Sequence, residues 1–218
     1  MHGDRPIGRP PLSVVDDDVP RRLRAERERH GISLRELARR LGVSPSAISQ
    51  IETGRARPSV ATLYSIVSEL GMSLDDLFQH APVPPEPASG DAHDDAAVVT
   101  SDAREALQLA TGVRWERLTA APDPAVDFIW VVYDVGGSSS PEDTFIRHSG
   151  HEYGLVLSGR LEVTVGFETR VLGPGDSIDF ESTTPHRLRN AGDEPVTGVW
   201  VVAGRNADPR TGGRLPEP

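Results

Sequence analysis

Two short segments in the C-terminal half carry side chains that bind divalent metal ions. The first holds His148 and Glu152, and the second holds His186. Two imidazoles and one carboxylate suit Fe(II), Mn, Ni or Zn, and they leave coordination positions open. If a barrel brings both segments together, these three residues form one metal site. His151 lies beside Glu152 and offers a substitute ligand, although in an extended strand it would point to the opposite face.

A second group of side chains is suited to binding DNA. These side chains lie at the start of a predicted helix, on its outer face and just beyond its end. Serine and glutamine side chains hydrogen-bond to base edges or phosphate oxygens, and Gln50 can pair with adenine through two bonds in the major groove. Arg55 and Arg57 follow the helix, where guanidinium groups can meet phosphates. The predicted DNA-binding residues are Ser44, Pro45, Ser46, Ser49, Gln50, Arg55 and Arg57.

Residues 33–59 position this surface through two predicted short helices joined by a tight turn. Ser33 is a favourable N-cap, and Glu36 completes a capping box. Apolar residues then recur on one helix face until Gly42, which suits the left-handed position after a helix. Ala38 is small enough to let the two helices cross closely.

Three more predicted helices complete a small helical domain. The first is a charged segment over residues 19–30, for which Asp18 is a candidate N-cap. The other two follow Ser59 and Ser73, and Gly71 separates them.

Residues 19–79 resemble the helix-turn-helix domain of the phage repressor/Cro-like (XRE) family. This resemblance implies that positions 45, 46, 49 and 50 face bases and that Arg55 and Arg57 lie near the DNA backbone. The hallmark positions that carry it are Ala38, Gly42, Ile48, Ile51, Glu52, Gly54, Pro58 and Ser59.

From about residue 97 the apolar period changes from 3.6 to 2, beginning with the predicted strand 97–100. Many short strands separated by Gly, Pro and Asp predict an antiparallel sandwich or barrel. The predicted fold class is therefore α+β with two domains. The segments are a disordered tail (1–17), a five-helix domain (18–79), a linker (80–96), an antiparallel β-barrel (97–204) and a flexible tail (205–218).

Residues 126–203 resemble the cupin superfamily, which implies a jelly-roll barrel. The first cupin motif usually opens with His-x-His, and Ile146 stands at the leading position here. One family ligand is therefore missing, so at most three of the four remain, and the glycine of the P-x-G-x(2)-H pattern is also absent before His186. The matching positions are His148, Glu152, Gly159, Gly175, Asp176, His186 and Asn190.

An XRE domain joined to a cupin barrel resembles bacterial transcription regulators whose barrel senses a small metabolite. The resemblance implies double-stranded DNA, a small-molecule effector and a second copy of the chain as partners. Aromatic side chains are candidates for the wall of an effector pocket. They are Phe145, Tyr153, Tyr133, Trp130, Phe180 and Trp200.

Three alternatives remain open. One XRE–cupin lineage resembles non-haem iron epoxidases that act on hydroxypropylphosphonate, which use the same His-x(3)-Glu and His ligands. In another interpretation, His148, Glu152 and His186 only hydrogen-bond in an empty pocket or one that binds an organic ligand. In the third, the barrel lacks metal and serves only to pair two chains.

Composition narrows the function classes. The chain has 218 residues and no cysteine, which excludes disulfides and cysteine nucleophiles. Net charge is −10, but residues 1–80 hold 12 Arg against 11 acidic residues, so the helical half is weakly basic. A specific site and a dimer are therefore expected to be needed for DNA binding. The sequence contains no apolar run that could span a membrane, and the expected location is the cytoplasm.

Overall fold

The structure is a computed structural model that describes residues 13–14, 18–78, 98–123, 125–142 and 144–204. The predicted linker and C-terminal tail lie outside these residues. The helices are α1 (Val19–Arg29), α2 (Leu34–Leu41), α3 (Pro45–Glu52), α4 (Val60–Leu70) and α5 (Asp75–Phe78). The strands are β1 (Ser13–Val14), β2 (Glu105–Gln108), β3 (Val113–Arg117), β4 (Val126–Tyr133), β5 (His151–Ser158), β6 (Leu161–Val165), β7 (Glu168–Leu172), β8 (Ser177–Glu181), β9 (His186–Asn190) and β10 (Val196–Ala203).

The helices begin and end where their capping residues predict. The hydroxyls of Ser33, Ser44 and Ser59 each accept a hydrogen bond of 3.1 Å from the backbone N–H three residues on. Gly42 and Gly71 follow α2 and α4 with φ values of 67° and 63°, a left-handed conformation that favours glycine. These short-range contacts therefore set the helix boundaries.

Two predicted caps differ in detail. The carboxylate of Asp18 makes no cap hydrogen bond, because it pairs with Arg21 instead. Glu36 does not complete the capping box at α2, because its carboxylate bonds to two arginines of its own helix. A reciprocal pair does form before α5, where Ser73 N–H donates to the Asp76 carboxylate (2.8 Å) and Asp76 N–H donates to the Ser73 hydroxyl (3.1 Å).

A buried ion pair joins α1 to α3. The guanidinium of Arg27 donates to both carboxylate oxygens of Glu52 at 2.6 and 2.8 Å, and a further N–H of Arg27 donates to the Ile32 carbonyl at 2.8 Å. Both residues are buried, within a helical domain where the fully buried Ala38 allows α2 and α3 to pack closely. The pair fixes the inner side of α3 and so determines which face of that helix is exposed.

The C-terminal domain consists of two facing sheets of the cupin jelly-roll type. One has the strand order β1-β2-β3-β4-β10-β5-β8 and the other β7-β6-β9. The described pairings are antiparallel except that of β1, which lies parallel to β2. Disorder at residues 13–14 was therefore a wrong prediction. The predicted strand at residues 97–100 was also wrong, because residues 98–100 form no strand. A turn begins there instead, in which the Ala103 N–H donates to the Thr100 carbonyl at 3.0 Å.

Alternation along β5 sends Glu152 and Gly154 to the inside and Tyr153 to the outside. A Cβ atom at residue 154 would lie 2.2 Å from the ring of Trp200, so only glycine leaves room for this indole. The indole N–H of Trp200 in turn donates to the Glu152 carboxylate at 2.7 Å. Gly154 thus allows the contact that orients Glu152.

Helix α4 docks the helical domain onto the cupin domain. The Ala61 N–H donates to the Ser139 carbonyl at 3.0 Å, and the Ala110 N–H donates to the Pro58 carbonyl at 2.8 Å. Buried apolar residues of both domains form one continuous core. Among the described helices, none combines the length and the apolar character needed to cross a bilayer.

We expect Glu52→Ala to lower the free energy of unfolding of the helical domain by about 3–5 kcal/mol, because the Arg27 charge stays buried without its partner. Far-ultraviolet circular dichroism during urea unfolding measures this loss. Tryptophan emission follows the cupin domain separately, since all three tryptophans lie there. Glu168→Ala breaks the exposed pair with Arg170 and is the matched control. Equal effects of the two substitutions would contradict the role assigned to Glu52.

We expect Gly154→Ala to lower the free energy of unfolding of the cupin domain by about 1–3 kcal/mol, because the new methyl group overlaps the Trp200 ring. Near-ultraviolet circular dichroism should also change as the indole moves. Gly173→Ala is the control, because its nearest contact would be an ordinary 3.7 Å. An unchanged indole signal in the Gly154 variant would show that the ring is not confined.

Candidate functional site

The three predicted metal ligands meet inside the cupin domain. Glu152 lies on β5, His186 opens β9, and His148 lies in the segment before β5. The Glu152 Oε1 atom is 2.9 Å from His148 Nε2 and 3.1 Å from His186 Nε2, and the three potential ligand atoms lie within 4.8 Å of one another. All three side chains are buried. The fold therefore brings together the residues that the sequence pattern selected.

Neighbouring carbonyl groups determine which nitrogen of each imidazole faces the centre. His148 Nδ1 lies 3.0 Å from the Ser149 carbonyl, and His186 Nδ1 lies 2.9 Å from the Thr184 carbonyl. A carbonyl only accepts, so each Nδ1 carries a proton, and each Nε2 points at the centre. If both Nε2 atoms lacked a proton, two lone pairs would face a carboxylate oxygen, and this arrangement is repulsive unless a proton or a cation lies between them.

The ionisation of Glu152 agrees with such a site. Burial raises the pKa of Glu152, but the contacts from His148 and His186 outweigh burial and hold that pKa well below its usual value. Burial, with a smaller contribution from the Glu152 charge, raises the pKa of the Tyr133 phenol. The cavity therefore contains an ionised carboxylate beside a neutral phenol.

The donor set fits a divalent cation. Two Nε2 atoms and one carboxylate oxygen lie in the wall of a cavity of about 20 Å³, which accommodates roughly one ion or water molecule. Contacts to the Nδ1 atoms and to the second Glu152 oxygen supply the outer support that metal ligands normally have. Ile146 is buried in the cavity wall, so the fourth family ligand is replaced by an apolar side chain.

His151 does not substitute for a ligand. Its ring lies on the outer face of β5, where Nδ1 is 3.0 Å from Glu181 and Nε2 is 3.1 Å from Asp179. The period of two along the strand separates it from Glu152.

Among the predicted pocket aromatics, the structure places Tyr133 and Trp200 in the cavity wall. Phe180 is buried and packs against the His186 ring, with centroids 5.0 Å apart, but it does not line the cavity. The prediction was wrong for Phe145 and Tyr153, which are 45% and 49% exposed. It was also wrong for Trp130, which lies outside the cavity under the guanidinium of Arg104. Alternation along β4 and β5 turns Trp130 and Tyr153 away from the interior.

One cavity residue belongs to the helical domain and was not predicted from the sequence. Tyr64 of α4 stacks on His148, with ring centroids 4.1 Å apart and planes at 7°, and Val60 lies beside it. Periodicity predicts both as buried residues of α4. No pattern in the sequence indicates that they are buried against the second domain rather than their own.

The predicted DNA-binding surface lies on the outside of the helical domain. On α3, Ile48 and Ile51 are buried against the other helices, so the opposite side of the helix is free of the core. Ser49 is half-buried. The exposed members are Ser44, Pro45, Ser46, Gln50, Arg55 and Arg57.

Charge near this surface is partly balanced within α2. Hydrogen bonds from Arg39 and Arg40 lower the pKa of Glu36 to about 2, and Arg40 also bonds to Glu69 at 2.7 Å. These arginines are engaged in ion pairs, so the positive charge that is left near α3 is modest.

Comparison with known proteins agrees with this division of the chain. Residues 23–77 match the family model described as helix-turn-helix, and residues 129–202 match the cupin domain. The HTH-type transcriptional regulator PuuR of Escherichia coli is 28% identical over 170 residues, which cover 78% of this chain and 86% of PuuR. The HTH-type transcriptional regulator SutR of the same organism is 27% identical over 174 residues, 80% of this chain and 88% of SutR.

A solved structure has the same overall fold. The HTH_3 family transcriptional regulator from Vibrio cholerae aligns with a TM-score of 0.59 over 87% of this chain and 96% of its own, at 22% sequence identity. The chain is therefore an XRE-type helix-turn-helix domain joined to a cupin domain, the architecture of the regulators PuuR and SutR.

Proposed function

We propose that this chain is a transcription regulator that binds DNA as a homodimer through α3. Its cupin cavity holds a divalent metal ion and responds to a small effector. The observation that carries the DNA-binding proposal is the exposed polar face of α3, with Gln50 on the helix and two arginines at its exit. The regulator names of PuuR and SutR support the same function.

The packing of α3 suits groove reading. Ile48 and the buried Arg27–Glu52 pair hold its inner side, so the outer side is presented by a rigid element. Ser46 and Gln50 are positioned to reach base edges, and Arg55 to reach phosphate. With a net charge of only +1 over residues 1–80, the domain has little general attraction to DNA, so affinity must come from a matched sequence.

Pairing of two chains would let the protein contact a second half-site of the DNA. The outer face of the seven-stranded sheet carries large apolar side chains that are 37–49% exposed, and such patches mark interaction surfaces. Strands β4, β10 and β5 are neighbours in the sheet, so these side chains form one continuous patch. To bind two half-sites, such a dimer must hold its two α3 helices about one DNA turn, or roughly 34 Å, apart. The patch consists of Phe128, Tyr153, Leu155 and Leu157.

The metal proposal depends on the convergence of acceptors around the cavity. His148, His186 and Glu152 would hold the ion, and Trp200 would keep the Glu152 carboxylate oriented. Fe, Mn, Ni and Zn all suit two imidazoles and a carboxylate. When bound, the ion would offer open coordination positions to an anionic effector.

The iron-epoxidase interpretation uses the same three ligands, so the site alone does not separate it from sensing. The full-length relatives do favour one interpretation, because PuuR and SutR are named as regulators. We therefore assign the cavity to sensing.

We expect selection from a random duplex pool to yield a preferred DNA sequence that binds two chains. Gln50→Ala should reduce discrimination at one base pair by about 1–3 kcal/mol, because a bidentate base contact is lost. Arg55→Ala should instead weaken binding to all sequences. It should also reduce the slope of log affinity against log salt concentration by about one, because one phosphate contact is lost. Fluorescence anisotropy at two salt concentrations measures both effects.

The control for these variants is Ser65→Ala, which alters an exposed residue of α4 away from α3. A pool that yields no preferred sequence under any condition would overturn the DNA-binding proposal.

We expect the purified protein to contain about one divalent first-row metal ion per chain by elemental analysis. His148→Ala should lose the ion, because one of three ligands is removed. His151→Ala should keep it, since that ring lies on the outer face of the same strand. If both variants retain the same metal content, or if the parent protein holds none after loading with each candidate ion, the metal proposal is wrong.

A further inference from the structure

One wall of the cupin cavity belongs to the DNA-binding domain. Val60 and Tyr64 of α4 line it, and the Tyr64 ring covers the face of His148 at a centroid distance of 4.1 Å. The same ring meets Trp115 of β3 edge-on at 5.6 Å. The position of α4 and the contents of the cavity therefore depend on each other.

The cavity is too small for a metabolite while Tyr64 is in place. Its volume of about 20 Å³ accommodates roughly one water molecule or ion. A larger ligand must displace part of the wall. Ile129 and Val131 lie on β4, which is paired on both sides by β3 and β10, so moving them would break two strand ladders.

Helix α4 can move at a lower cost. Two backbone hydrogen bonds tie its start to the cupin domain, at Ala61 and at Pro58, and its Tyr64 ring packs on His148 and Trp115, with no strand ladder to break. An open cleft of about 740 Å³ lies between α1, the exit of α3 and β2. This space leaves room for the helical domain to shift, at the expense of apolar contacts in the core that the two domains share.

The remaining walls indicate the chemistry of the ligand. The lining is mainly apolar or aromatic, and none of the described residues that form it is Lys or Arg. A second anionic group on a ligand would lie there without a counter-charge, and burial of an unpaired charge is strongly unfavourable. The slot next to His148 is flat, because it now holds the ring of Tyr64.

We propose that Tyr64 is the movable wall of the cupin cavity. The effector is a monoanion with a flat apolar body. It replaces the Tyr64 ring on His148 and thereby shifts the DNA-binding domain. This inference rests on the proposed regulatory function and adds its mechanism and ligand class. The effector changes DNA affinity because it binds only the arrangement in which Tyr64 has moved. By linkage, cognate DNA changes effector affinity by the same factor.

The first test measures the positions of the domains without any ligand. The chain has no cysteine, so Ser68→Cys and Phe167→Cys give two unique spin-label sites, both exposed and one on each domain. Labelled protein is diluted with unlabelled protein so that distances within one chain are recorded. We expect one narrow distance distribution for the parent and for Tyr64→Phe, and a broader or shifted one for Tyr64→Ala.

DNA affinity is measured on the same three proteins. Tyr64→Ala should change it by roughly 5–150-fold, the usual range of allosteric coupling, whereas Tyr64→Phe keeps the ring and should stay near the parent. If Tyr64→Ala does not fold, Tyr64→Leu replaces it, because leucine retains apolar volume but not a flat stack. A folded ring-less variant whose distances and DNA affinity match those of Tyr64→Phe would overturn the inference. If the parent selects no DNA sequence, the proposed function fails, and the distances still decide the role of Tyr64.

The second test uses benzoate as the probe, with phthalate as the doubly charged control, in calorimetric titrations of metal-loaded full-length protein. Tyr64→Ala should bind benzoate roughly 10–1000-fold more tightly than the parent, because the open state is already populated. Benzoate should also move the parent distance distribution toward that of Tyr64→Ala. Equal affinities in the two proteins, no benzoate binding in either, or equal binding of phthalate would each contradict the proposal.

Discussion

The stacking of Tyr64 on His148 is the contact on which the organisation of this molecule depends. It joins an element of the DNA-binding domain to a candidate metal ligand of the cupin domain, at a centroid distance of 4.1 Å. Together with the Ala61–Ser139 and Ala110–Pro58 hydrogen bonds, it docks the two domains on each other. With it, a single apolar core runs through both, and any change beside His148 is felt by α4.

A second constraint lies inside the cupin domain, where three acceptor atoms converge. Backbone carbonyls hold the Nδ1–H of His148 and His186, and Trp200 engages one oxygen of Glu152. These outer contacts leave two imidazole Nε2 atoms and a carboxylate oxygen facing one another. The arrangement is stable only with a proton or a metal cation between them, and the metal proposal rests on this requirement.

The DNA-binding surface depends on a similar division between a fixed inner side and a free outer side. The Arg27–Glu52 pair satisfies both buried charges and ties α3 to α1. Because the inner side of α3 is held in this way, Gln50 can remain exposed without loss of order in the helix. The balanced ion pairs of α2 limit general attraction to phosphate, so recognition must rely on α3.

The sequence alone determined the elements whose signals are local. Caps at Ser33, Ser44 and Ser59 and the glycine after α2 define the helices, because these contacts join residues close together in the chain. The same holds for the period of two in the strands, and motif spacing was enough to select His148, Glu152 and His186. Only the tertiary structure decided which side chains share the cavity. It turned Tyr153 and Trp130 outward, placed Trp200 over Gly154, and brought Tyr64 from the other domain. Those outcomes depend on strand register and domain docking, which are set by contacts between residues far apart in the chain.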